Sequence, residues 1–520
     1  MYRFRRPVEA RIIDNPDTEE LRGMARHEER TTVYGSASYV SRVRSRSAKF
    51  TYIVEGVVPL GVDQRGIAPE KALALVDKVY AYLRDKEVIR LDRRMGLHPD
   101  FSLHCRLFIT RPYARIPYQW HNMLFPPADP EGEPDLVSVY VPEWPERIIF
   151  CHPTERVTYI LGTDYFGECK KSFLRMAMFV AKERGGLGFH AGAKLLRVFG
   201  TDGKLRETGF ILFGLSGTGK TTLTMHDHDL AAPEGVAIRQ DDVVMMNPQG
   251  YCYGTENGFY IKTEGLDPSQ AVLYDAAIKP HAVFENVMVR GDGTVDFDDA
   301  TLTSNGRGVI LRRDVRSTDD RIDLDKAHRI VFITRRNDVV PVVARLTAEQ
   351  AAAYFMLGES IETSAGDPTK AGQPKRQVGT NPFIIGPESI EGNRLLEILR
   401  ANPDIECYLL NTGSIGARDG SPGTKITIKV STTIMKQIAA GGIRWRRDPD
   451  WGYEVPAEVP GIDIKPYDPV LHYTPDEYRE RVERLRDERR RWLAKYPDLL
   501  PEIVYAVEPP REMRRAAAGR

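Results

Sequence analysis

Hydrophobic and polar positions follow a helical period in some stretches of the chain and a strand-like pattern in others. In residues 171–184, apolar side chains recur at every third or fourth position, which predicts an amphipathic helix stopped by the Gly-Gly pair that follows. Capping boxes at 347–350 and 474–477 predict two more helices, and the first of these should end at Gly358.

Short apolar runs elsewhere predict strands separated by tight turns. Turns are predicted at 247–250 and 290–293, and the Arg-Gly-Asp triplet in the second is interpreted as turn sequence only. We therefore expect an α/β fold with two domains. An N-terminal α/β domain would cover residues 1–190, and a strand-rich domain with a helical C-terminal end would cover 191–520.

A glycine-rich loop follows the apolar run 209–213, in the order strand, loop and helix start. Its sequence fits the pattern GxxxxGK[ST] of a phosphate-binding P-loop. Glycines let successive N–H groups turn toward phosphate oxygens, while the lysine adds a positive charge and the threonine a hydroxyl for Mg²⁺. The predicted ligand is a nucleotide or another polyphosphate. The residues predicted to bind it are Gly214, Leu215, Ser216, Gly217, Thr218, Gly219, Lys220, Thr221 and Thr222.

Composition narrows the class of protein further. The 520 residues include 73 Lys and Arg against 73 Asp and Glu, a balance that argues against nucleic acid or a membrane surface as the main partner. The five cysteines form no CxxC pair, so neither a disulfide framework nor a cysteine zinc site is expected. The N-terminus lacks the apolar core of a signal peptide, and no segment is apolar enough to span a membrane. We expect a soluble, cytoplasmic protein.

Two adjacent aspartates are candidates for the acidic group that organises metal ions. Phosphoryl transfer needs such a group in addition to a P-loop. Asp241 and Asp242 follow the apolar run 235–238, so they are expected at the end of a strand that neighbours the P-loop strand. An acidic turn is the alternative interpretation. Residues 226–229 also have metal-ligand types, but they are interpreted as a solvated turn after the P-loop helix.

The P-loop and the motifs around it occur together in the order found in one enzyme family. The chain resembles the ATP-dependent phosphoenolpyruvate carboxykinases from about residue 32 to about residue 497. The motifs are FGLSGTGKTTL at 213–223, the Asp-Asp pair, TENGFYIKT at 255–263, FENV at 284–287, DFDD at 296–299, FIT at 332–334, PVVARLT at 341–347, NTG at 411–413 and ITIK at 426–429.

The resemblance implies the reversible conversion of oxaloacetate and a nucleoside triphosphate, with ATP favoured, to phosphoenolpyruvate, CO₂ and the diphosphate. This reaction belongs to gluconeogenic or anaplerotic carbon metabolism. The resemblance also implies two metal cofactors, Mg²⁺ bound with the nucleotide and Mn²⁺ as the second metal. Residues 1–190 would bind oxaloacetate, and residues 191–520 would bind nucleotide and metals. Small molecules are then the expected partners, and the oligomeric state stays open.

Metal ligands are also implied by the resemblance. Lys171, His190 and Asp242 match the ligands of the second metal, and Thr221 matches the P-loop ligand. A lysine binds a metal only as the neutral amine, so the cation must suppress its protonation. Without the resemblance, Lys171 fits a surface position at a helix end and His190 fits a hydrogen-bonded position in a core.

Catalytic roles are implied on the acceptor side as well. Arg46, for which Arg44 is an alternative, matches the arginine that holds the substrate carboxylate, and Tyr165 matches the tyrosine near CO₂ or substrate. Lys262 matches the lysine that reaches the transferring phosphoryl group. Arg307 matches the arginine that bridges donor and acceptor, and a surface loop is its alternative. Lys171, Lys220 and Asp241 complete the predicted catalytic set.

The base of the nucleotide is the least defined part of the predicted site. Glu256, Arg307, Lys425 and Ile426 are assigned to nucleotide binding. The family has an adenine-stacking arginine where this chain has Lys425, and a lysine lacks a planar face for stacking. ATP, GTP and pyrophosphate therefore remain alternative phosphate donors.

Two other functions are kept as alternatives. A P-loop kinase with another acceptor, such as a protein hydroxyl, would need the P-loop but would have no obvious need for Arg46, Tyr165, Lys171 and His190. A non-catalytic nucleotide sensor would agree with the altered sequences that follow His190 and Asp242.

Overall fold

The structure of the protein is a computed structural model that describes residues 3–361, 373–418 and 420–509. The chain forms two compact units, each assembled from several stretches of sequence. The first unit consists of Met1–Arg184, Tyr253–Ile322 and Phe383–Pro387, and the second of Gly185–Cys252, Asp323–Pro382 and Glu388–Arg520.

The first unit is built on an eight-stranded mixed sheet. The helix Pro69–Leu83 packs on it because Ala72, Val76 and Val79 fall on one side of the helix and join the apolar side chains of the sheet in one core. In spatial order the strands are Arg11–Asp14, Glu87–His98, Phe101–Thr110, Leu136–Val141, Val157–Leu161, Ile148–His152, Thr51–Val54 and Gly66–Ile67.

The helix predicted from residue 171 belongs to this unit and begins earlier than predicted. It runs over Phe166–Glu183, and most of its residues are buried. Its end just before the Gly-Gly pair agrees with the prediction. The remaining helices of the unit are Thr18–Ala25, Arg115–Met123 and Ala271–Ala277.

A second sheet of the first unit joins stretches that lie far apart in sequence. Its register places Arg307 opposite Lys262 on one side and opposite Glu285 on the other. A separate pair, Met288–Val289 with Val295–Asp296, flanks the predicted turn at 290–293. In spatial order the five strands of the sheet are Gly258–Lys262, Arg307–Leu311, Val283–Glu285, Ala37–Tyr39 and Arg30–Thr31.

This five-stranded sheet explains why the compact units differ from a simple division at residue 190. The strand Val283–Glu285 pairs with Ala37–Tyr39, so residues 253–322 belong to the first unit although they follow the P-loop in sequence. Lys262 and Arg307 are consequently in the same unit as Tyr165. The predicted functional division at residue 190 stays a prediction.

The second unit is built on another eight-stranded mixed sheet, with parallel strands at its centre. The P-loop strand Leu205–Gly214 pairs in parallel with Arg329–Thr334, which pairs in parallel with Glu406–Asn411. Most residues of these strands are buried, as expected for central strands. In spatial order the strands are Gly235–Gln240, Ala191–Phe199, Leu205–Gly214, Arg329–Thr334, Glu406–Asn411, Val343–Leu346, Glu454–Glu458 and Arg444–Arg447.

Two helices of the second unit confirm the capping boxes. Thr347 and Thr474 each cap a helix reciprocally with the residue three positions later, and Gly358 ends the first with a φ of +42°. The helices are Lys220–Met225, Ala348–Leu357, Glu388–Ala401, Ile428–Ala440, Pro475–Leu493 and Pro501–Tyr505. Short strand pairs are Leu187–Phe189 with Val244–Met246, Glu359–Ile361 with Pro374–Arg376, and Ser414–Ile415 with Thr424–Lys425.

The predicted α/β class is confirmed by both units. The short strand Cys252–Gly254 spans the sequence boundary between them. All five cysteines are buried and free. Among the described residues, no helix is both long enough and apolar enough to cross a membrane.

Candidate active site

The P-loop follows a buried strand and opens the helix Lys220–Met225. Gly217 and Gly219 have φ angles of +84° and +92°, a backbone region that glycine enters at little cost. The loop folds back on itself, because the N–H and the Oγ1 of Thr218 both donate to the carbonyl of Leu215, at 3.1 and 2.8 Å. The predicted loop is therefore a turn whose conformation depends on glycine at two positions.

Two side chains that directly follow parallel strands of the sheet donate hydrogen bonds to carbonyls of the P-loop. Nη1 of Arg335 donates to the carbonyl of Gly217 at 2.9 Å, and Oγ1 of Thr412 donates to that of Thr218 at 2.7 Å. Neither Arg335 nor Thr412 is among the predicted site residues. Their signal in the sequence is their place, since both directly follow strands that run parallel to the P-loop strand.

The far end of the P-loop helix contacts a buried lysine. Nζ of Lys194 donates to the carbonyls of Leu223 and His226, at 2.6 and 2.9 Å. Burial lowers the pKa of Lys194 well below its usual value. These carbonyls lie at the C-terminal end of the helix, where a hydrogen-bond donor is favourable. The unusual sequence after His190 thus supplies a contact that supports the P-loop helix.

Asp241 contacts the two polar residues that open the P-loop helix. Nζ of Lys220 donates to its backbone carbonyl at 2.9 Å, and Oγ1 of Thr221 donates to its Oδ2 at 3.2 Å. Asp241 directly follows the strand Gly235–Gln240, as predicted. That strand is not the immediate neighbour of the P-loop strand, because Ala191–Phe199 pairs between them. Asp241 reaches the P-loop across this intervening strand.

His190 and Asp242 form a pair whose polar atoms face each other. Nδ1 of His190 lies 2.8 Å from the carbonyl of Thr380, and since a carbonyl only accepts, Nδ1 carries the proton of that bond. Nε2 lies 3.1 Å from Oδ1 of Asp242. When the imidazole is neutral, its Nε2 and the carboxylate Oδ1 are both acceptors. Their contact is therefore favourable only if a proton or a cation is shared between them. An imidazole and a carboxylate in this arrangement fit a divalent cation.

The full predicted metal set is divided between the units. His190 and Asp242 belong to the second unit, whereas Lys171 belongs to the first. Over the described ranges, no group of three or more His, Cys, Asp and Glu is found that could hold a metal ion, and this includes residues 226–229. The assignment of Lys171, His190, Asp242 and Thr221 as metal ligands stays a prediction.

The predicted base-binding residues lie on and after a short strand, Thr424–Lys425. Lys425 is exposed, whereas Ile426 is buried and its N–H donates to the carbonyl of Gly413 at 2.9 Å. This bond ties Ile426 to the NTG motif. The nucleotide-binding role of both residues stays a prediction.

Lys262 and Arg307 lie opposite each other on neighbouring strands of the first unit. Side chains at directly opposite positions point to the same face of a sheet, with Cβ atoms about 5 Å apart. Nζ of Lys262 pairs with the carboxylate of Glu264, and the guanidinium of Arg307 lies 5.5 Å from the ring centroid of Tyr260. Two positive charges on one face of the sheet suit a site for an anion.

Asn305 connects two predicted catalytic residues. Its Oδ1 accepts from Nη2 of Arg307 at 2.7 Å, and its Nδ2 donates to Oη of Tyr165 at 3.2 Å. Nδ2 also donates to the carbonyl of Arg44 at 3.1 Å. Asn305 is not among the predicted site residues, and its signal in the sequence is its place two residues before Arg307.

A buried glutamate belongs to the same network. Oη of Tyr260 donates to Oη of Tyr165 at 3.1 Å and lies 3.5 Å from Oε2 of Glu285. Burial raises the pKa of Glu285 to about 7, although Arg115 at 3.5 Å opposes this shift. Burial also raises the pKa of Tyr260 well above its usual value. Glu285 can therefore change its charge near neutral pH.

Arg46 and Lys171 meet at the ring of Phe383. The guanidinium carbon of Arg46 lies 4.4 Å from the ring centroid, and Nζ of Lys171 lies 4.9 Å from it. The segment of Phe383 is held by the amide of Gln64, which exchanges two hydrogen bonds with the backbone of Gly386 at 2.7 and 3.0 Å. Phe383, which is not among the predicted site residues, therefore brings two predicted residues together.

Glu256 is bonded to a lysine in the interior of the first unit. Its Oε2 accepts from Nζ of Lys170 at 2.7 Å, and both side chains are buried. Such a pair is costly to break because either charge would be left uncompensated. The assignment of Glu256 to the nucleotide stays a prediction.

The fold and the site define a P-loop protein of mixed α/β structure, with a phosphate loop in one unit and clustered cations in the other. A family model described as phosphoenolpyruvate carboxykinase matches residues 10–465. The chain belongs to the phosphoenolpyruvate carboxykinase family, in its ATP type. This confirms the predicted family and enzyme class, a carboxy-lyase class that transfers phosphate between small molecules.

Curated relatives extend over most of the chain, and all three described here are named phosphoenolpyruvate carboxykinase (ATP). The chain is 37% identical over 429 residues to the protein of Aeropyrum pernix, covering 82% of this chain and 84% of the relative. It is 26% identical over 481 residues to the protein of Afipia carboxidovorans, covering 87% and 84%. It is 28% identical over 462 residues to the protein of Novosphingobium aromaticivorans, covering 82% and 81%. These identities confirm a divergent member of the family.

Proposed function

We propose that the protein converts oxaloacetate and ATP to phosphoenolpyruvate, CO₂ and ADP. One observation carries the proposal: the dipeptide Asp241-Asp242 serves two sites at once. Asp241 bonds to Lys220 and Thr221 of the P-loop, while Asp242 faces His190. A phosphate loop is thereby joined to a metal-type donor pair, as transfer of a phosphoryl group to a second bound substrate requires.

Two divalent cations complete the proposed site. Thr221 would hold Mg²⁺ with the nucleotide, and His190, Asp242 and Lys171 would hold Mn²⁺. When bound, the cations supply positive charge to the oxygens of the phosphates and of the organic substrate. The support for the second site is the facing pair of Nε2 and Oδ1 atoms, which a cation would make favourable.

The residues of the chain account for the remaining chemistry. Arg46 binds a carboxylate of oxaloacetate through its fork of donors, and the loss of CO₂ leaves the electron pair of the broken C–C bond in an enolate. The enolate oxygen forms a bond to the γ-phosphorus while the bond to the bridging oxygen breaks, so ADP leaves. Lys220, Lys262 and Arg307 spread the charge that develops. Tyr165 borders the organic substrate.

Exclusion of water is part of the proposal, because a protonated enolate would become pyruvate instead of phosphoenolpyruvate. We also propose that residues 1–190 supply the oxaloacetate site and residues 191–520 the nucleotide and metal sites, with Glu256, Lys425 and Ile426 near the nucleotide. A place in the cytoplasm, in gluconeogenic or anaplerotic metabolism, agrees with these substrates. Neither alternative function gains support from the family model or the relatives.

The test is to incubate the purified protein with oxaloacetate, Mg²⁺ and Mn²⁺, supplying ATP, GTP or pyrophosphate in turn, and to measure phosphoenolpyruvate. We expect product with ATP as the best donor. Absence of product with all three donors, together with retained nucleotide binding, would overturn the proposal in favour of a sensor.

The assignment of Arg46 has its own test. Arg46→Ala should raise the KM for oxaloacetate while the KM for ATP stays within about twofold, because only the organic acid loses a charge-assisted hydrogen bond. Arg156→Ala is the matched control, since Arg156 is a partly exposed arginine of the same unit that pairs with Glu183. Unchanged oxaloacetate kinetics would show that the assignment is wrong.

A further inference from the structure

A third cation, Arg175, lies at the ring of Phe383. Its guanidinium carbon is 5.9 Å from the ring centroid, compared with 4.4 Å for Arg46 and 4.9 Å for Nζ of Lys171. Lys171 and Arg175 are four positions apart on the helix Phe166–Glu183, so they share one face of it. Three basic side chains therefore lie close to one buried ring.

Arg175 is buried without a compensating charge. It is 7% exposed, and within the described residues it makes neither a hydrogen bond nor an ion pair. Arg175 also interacts with the thiol of Cys151, whose pKa burial raises to about 11, so the thiol is neutral. A buried guanidinium in such surroundings is unfavourable unless an anion joins it.

The acidic side chains nearest along the chain have other partners, and one of them, Glu183, pairs with Arg156 at 3.5 Å. Asp164 accepts from Arg115 at 2.9 Å and from the backbone N–H groups of Arg42 and Val43. Glu168 accepts from the backbone N–H of Ser47. The compensating anion for Arg175 is therefore expected to be a bound ligand.

We propose that Arg175 is a specificity-determining residue that binds one of the two carboxylates of oxaloacetate beside Arg46. This inference rests on the proposed function, because it names how that site selects a dicarboxylic keto acid. The planar ring of Phe383 orients the guanidinium groups, and an arginine fork matches a carboxylate with two parallel hydrogen bonds. A charge-assisted contact of this kind changes affinity by about ten- to a hundredfold.

The test uses the full chain with Mn²⁺, the variants Arg175→Gln and Arg175→Lys, and the control Arg156→Gln. The KM values for oxaloacetate and ATP are measured, together with the shift in unfolding temperature caused by malonate and by acetate. We expect Arg175→Gln to raise the KM for oxaloacetate about ten- to a hundredfold and to leave the KM for ATP within about twofold. It should also lose most of the malonate shift, whereas the small acetate shift should persist.

In the absence of both metal and ligand, removal of one of three like charges should leave the unfolding temperature unchanged or higher, which removal of a purely structural contact with Phe383 would not do. Arg175→Lys should recover part of the affinity, because it restores the charge but not the fork. If Arg175→Gln keeps the wild-type KM and malonate shift, the inference is overturned. If that variant does not fold, a folded Arg175→Lys protein with the wild-type KM for oxaloacetate overturns it equally.

Failure of the proposed function has a different signature. In that case the wild-type protein would form no phosphoenolpyruvate, yet malonate would still stabilise it and would not stabilise Arg175→Gln. The carboxylate site would then stand without the carboxykinase reaction.

Discussion

The P-loop of the second unit differs in construction from the cation network of the first unit, by which we mean the contacts of Asn305 and Phe383 with their neighbours. The P-loop is one continuous stretch whose shape is set by the backbone at Gly217 and Gly219. The cation network contains side chains from separate stretches of the chain. Asn305 links Arg307 to Tyr165, and Phe383 contacts basic side chains that are distant from it in sequence. A site such as the P-loop can be identified from a local sequence motif. A site such as the cation network forms only when strands that are distant in sequence have paired.

The largest effect should follow from removing the one charge of the P-loop. Lys220→Ala should lower the rate of phosphoenolpyruvate formation by about a thousandfold or more, because no other P-loop residue supplies charge to the transferring phosphoryl group. Phosphoenolpyruvate formation and nucleotide affinity are measured in parallel. Lys204→Ala, at an exposed hairpin position of the same unit, is the control and should be active. A Lys220→Ala protein with more than about a tenth of wild-type activity would contradict the role of the P-loop.

A second contrast between the units concerns two buried glutamates. Glu359 of the second unit is held by Arg489 and by Arg376 at 3.2 Å, and these arginines lower its pKa to about 2 against the opposing effect of burial. Glu285 of the first unit has one arginine at 3.5 Å, and burial raises its pKa to about 7. The pKa values of these two buried glutamates thus shift in opposite directions, because Glu359 has more arginine partners than Glu285.

The two glutamates should give opposite dependences of stability on pH. The folded protein favours the protonated form of Glu285. The contribution of Glu285 to folding stability is therefore present below about pH 4.5 and is lost as the pH rises toward 7. Glu359 favours the ionised form, so its contribution is present above about pH 4.5 and is lost as the pH falls toward 2. Each shift amounts to about 3 kcal/mol over its range.

The measurement is the free energy of unfolding of wild type, Glu285→Gln and Glu359→Gln between about pH 3 and pH 8. The difference between wild type and Glu285→Gln should shrink with rising pH, and that between wild type and Glu359→Gln should grow. Parallel slopes for the two variants would refute the contrast.

The fold class and the P-loop could be predicted because their signals are local. The capping boxes at Thr347 and Thr474 fix helix starts within four residues, and the glycine pattern fixes a turn. Arg335 and Thr412 are different, because their contacts with the P-loop depend on the pairing of parallel strands, which neither the FIT motif before Arg335 nor the NTG motif around Thr412 specifies. Arg175 is similar, since nothing along the helix indicates that Phe383 packs beside it.

Metal affinity offers a smaller effect that tests one proposed ligand of the second unit, His190. His190→Ala should raise the Mn²⁺ concentration for half-maximal activity by about a hundredfold, because the imidazole oriented by the carbonyl of Thr380 is lost. The Mg²⁺ dependence with nucleotide should change little. Activity is titrated with each metal in turn, and His281→Ala, at an exposed histidine of the first unit bonded to Asp314, is the control. An unchanged Mn²⁺ titration would remove His190 from the proposed ligands.

The smallest expected effect is the sharpest test of the network in the first unit. Asn305→Ala removes the hydrogen bonds to Arg307 and Tyr165, so both side chains lose a fixed orientation while each keeps its own chemistry. Two neutral or singly charged hydrogen bonds of this kind predict a fall in kcat of about tenfold, with nucleotide affinity unchanged because the P-loop is untouched. Ser304→Ala, at the exposed neighbouring position, controls for disturbance of the loop. Equal activity in the two variants would mean that Arg307 and Tyr165 are oriented without Asn305. A fall confined to Asn305→Ala would show that orientation in the first unit depends on a residue that no motif identifies.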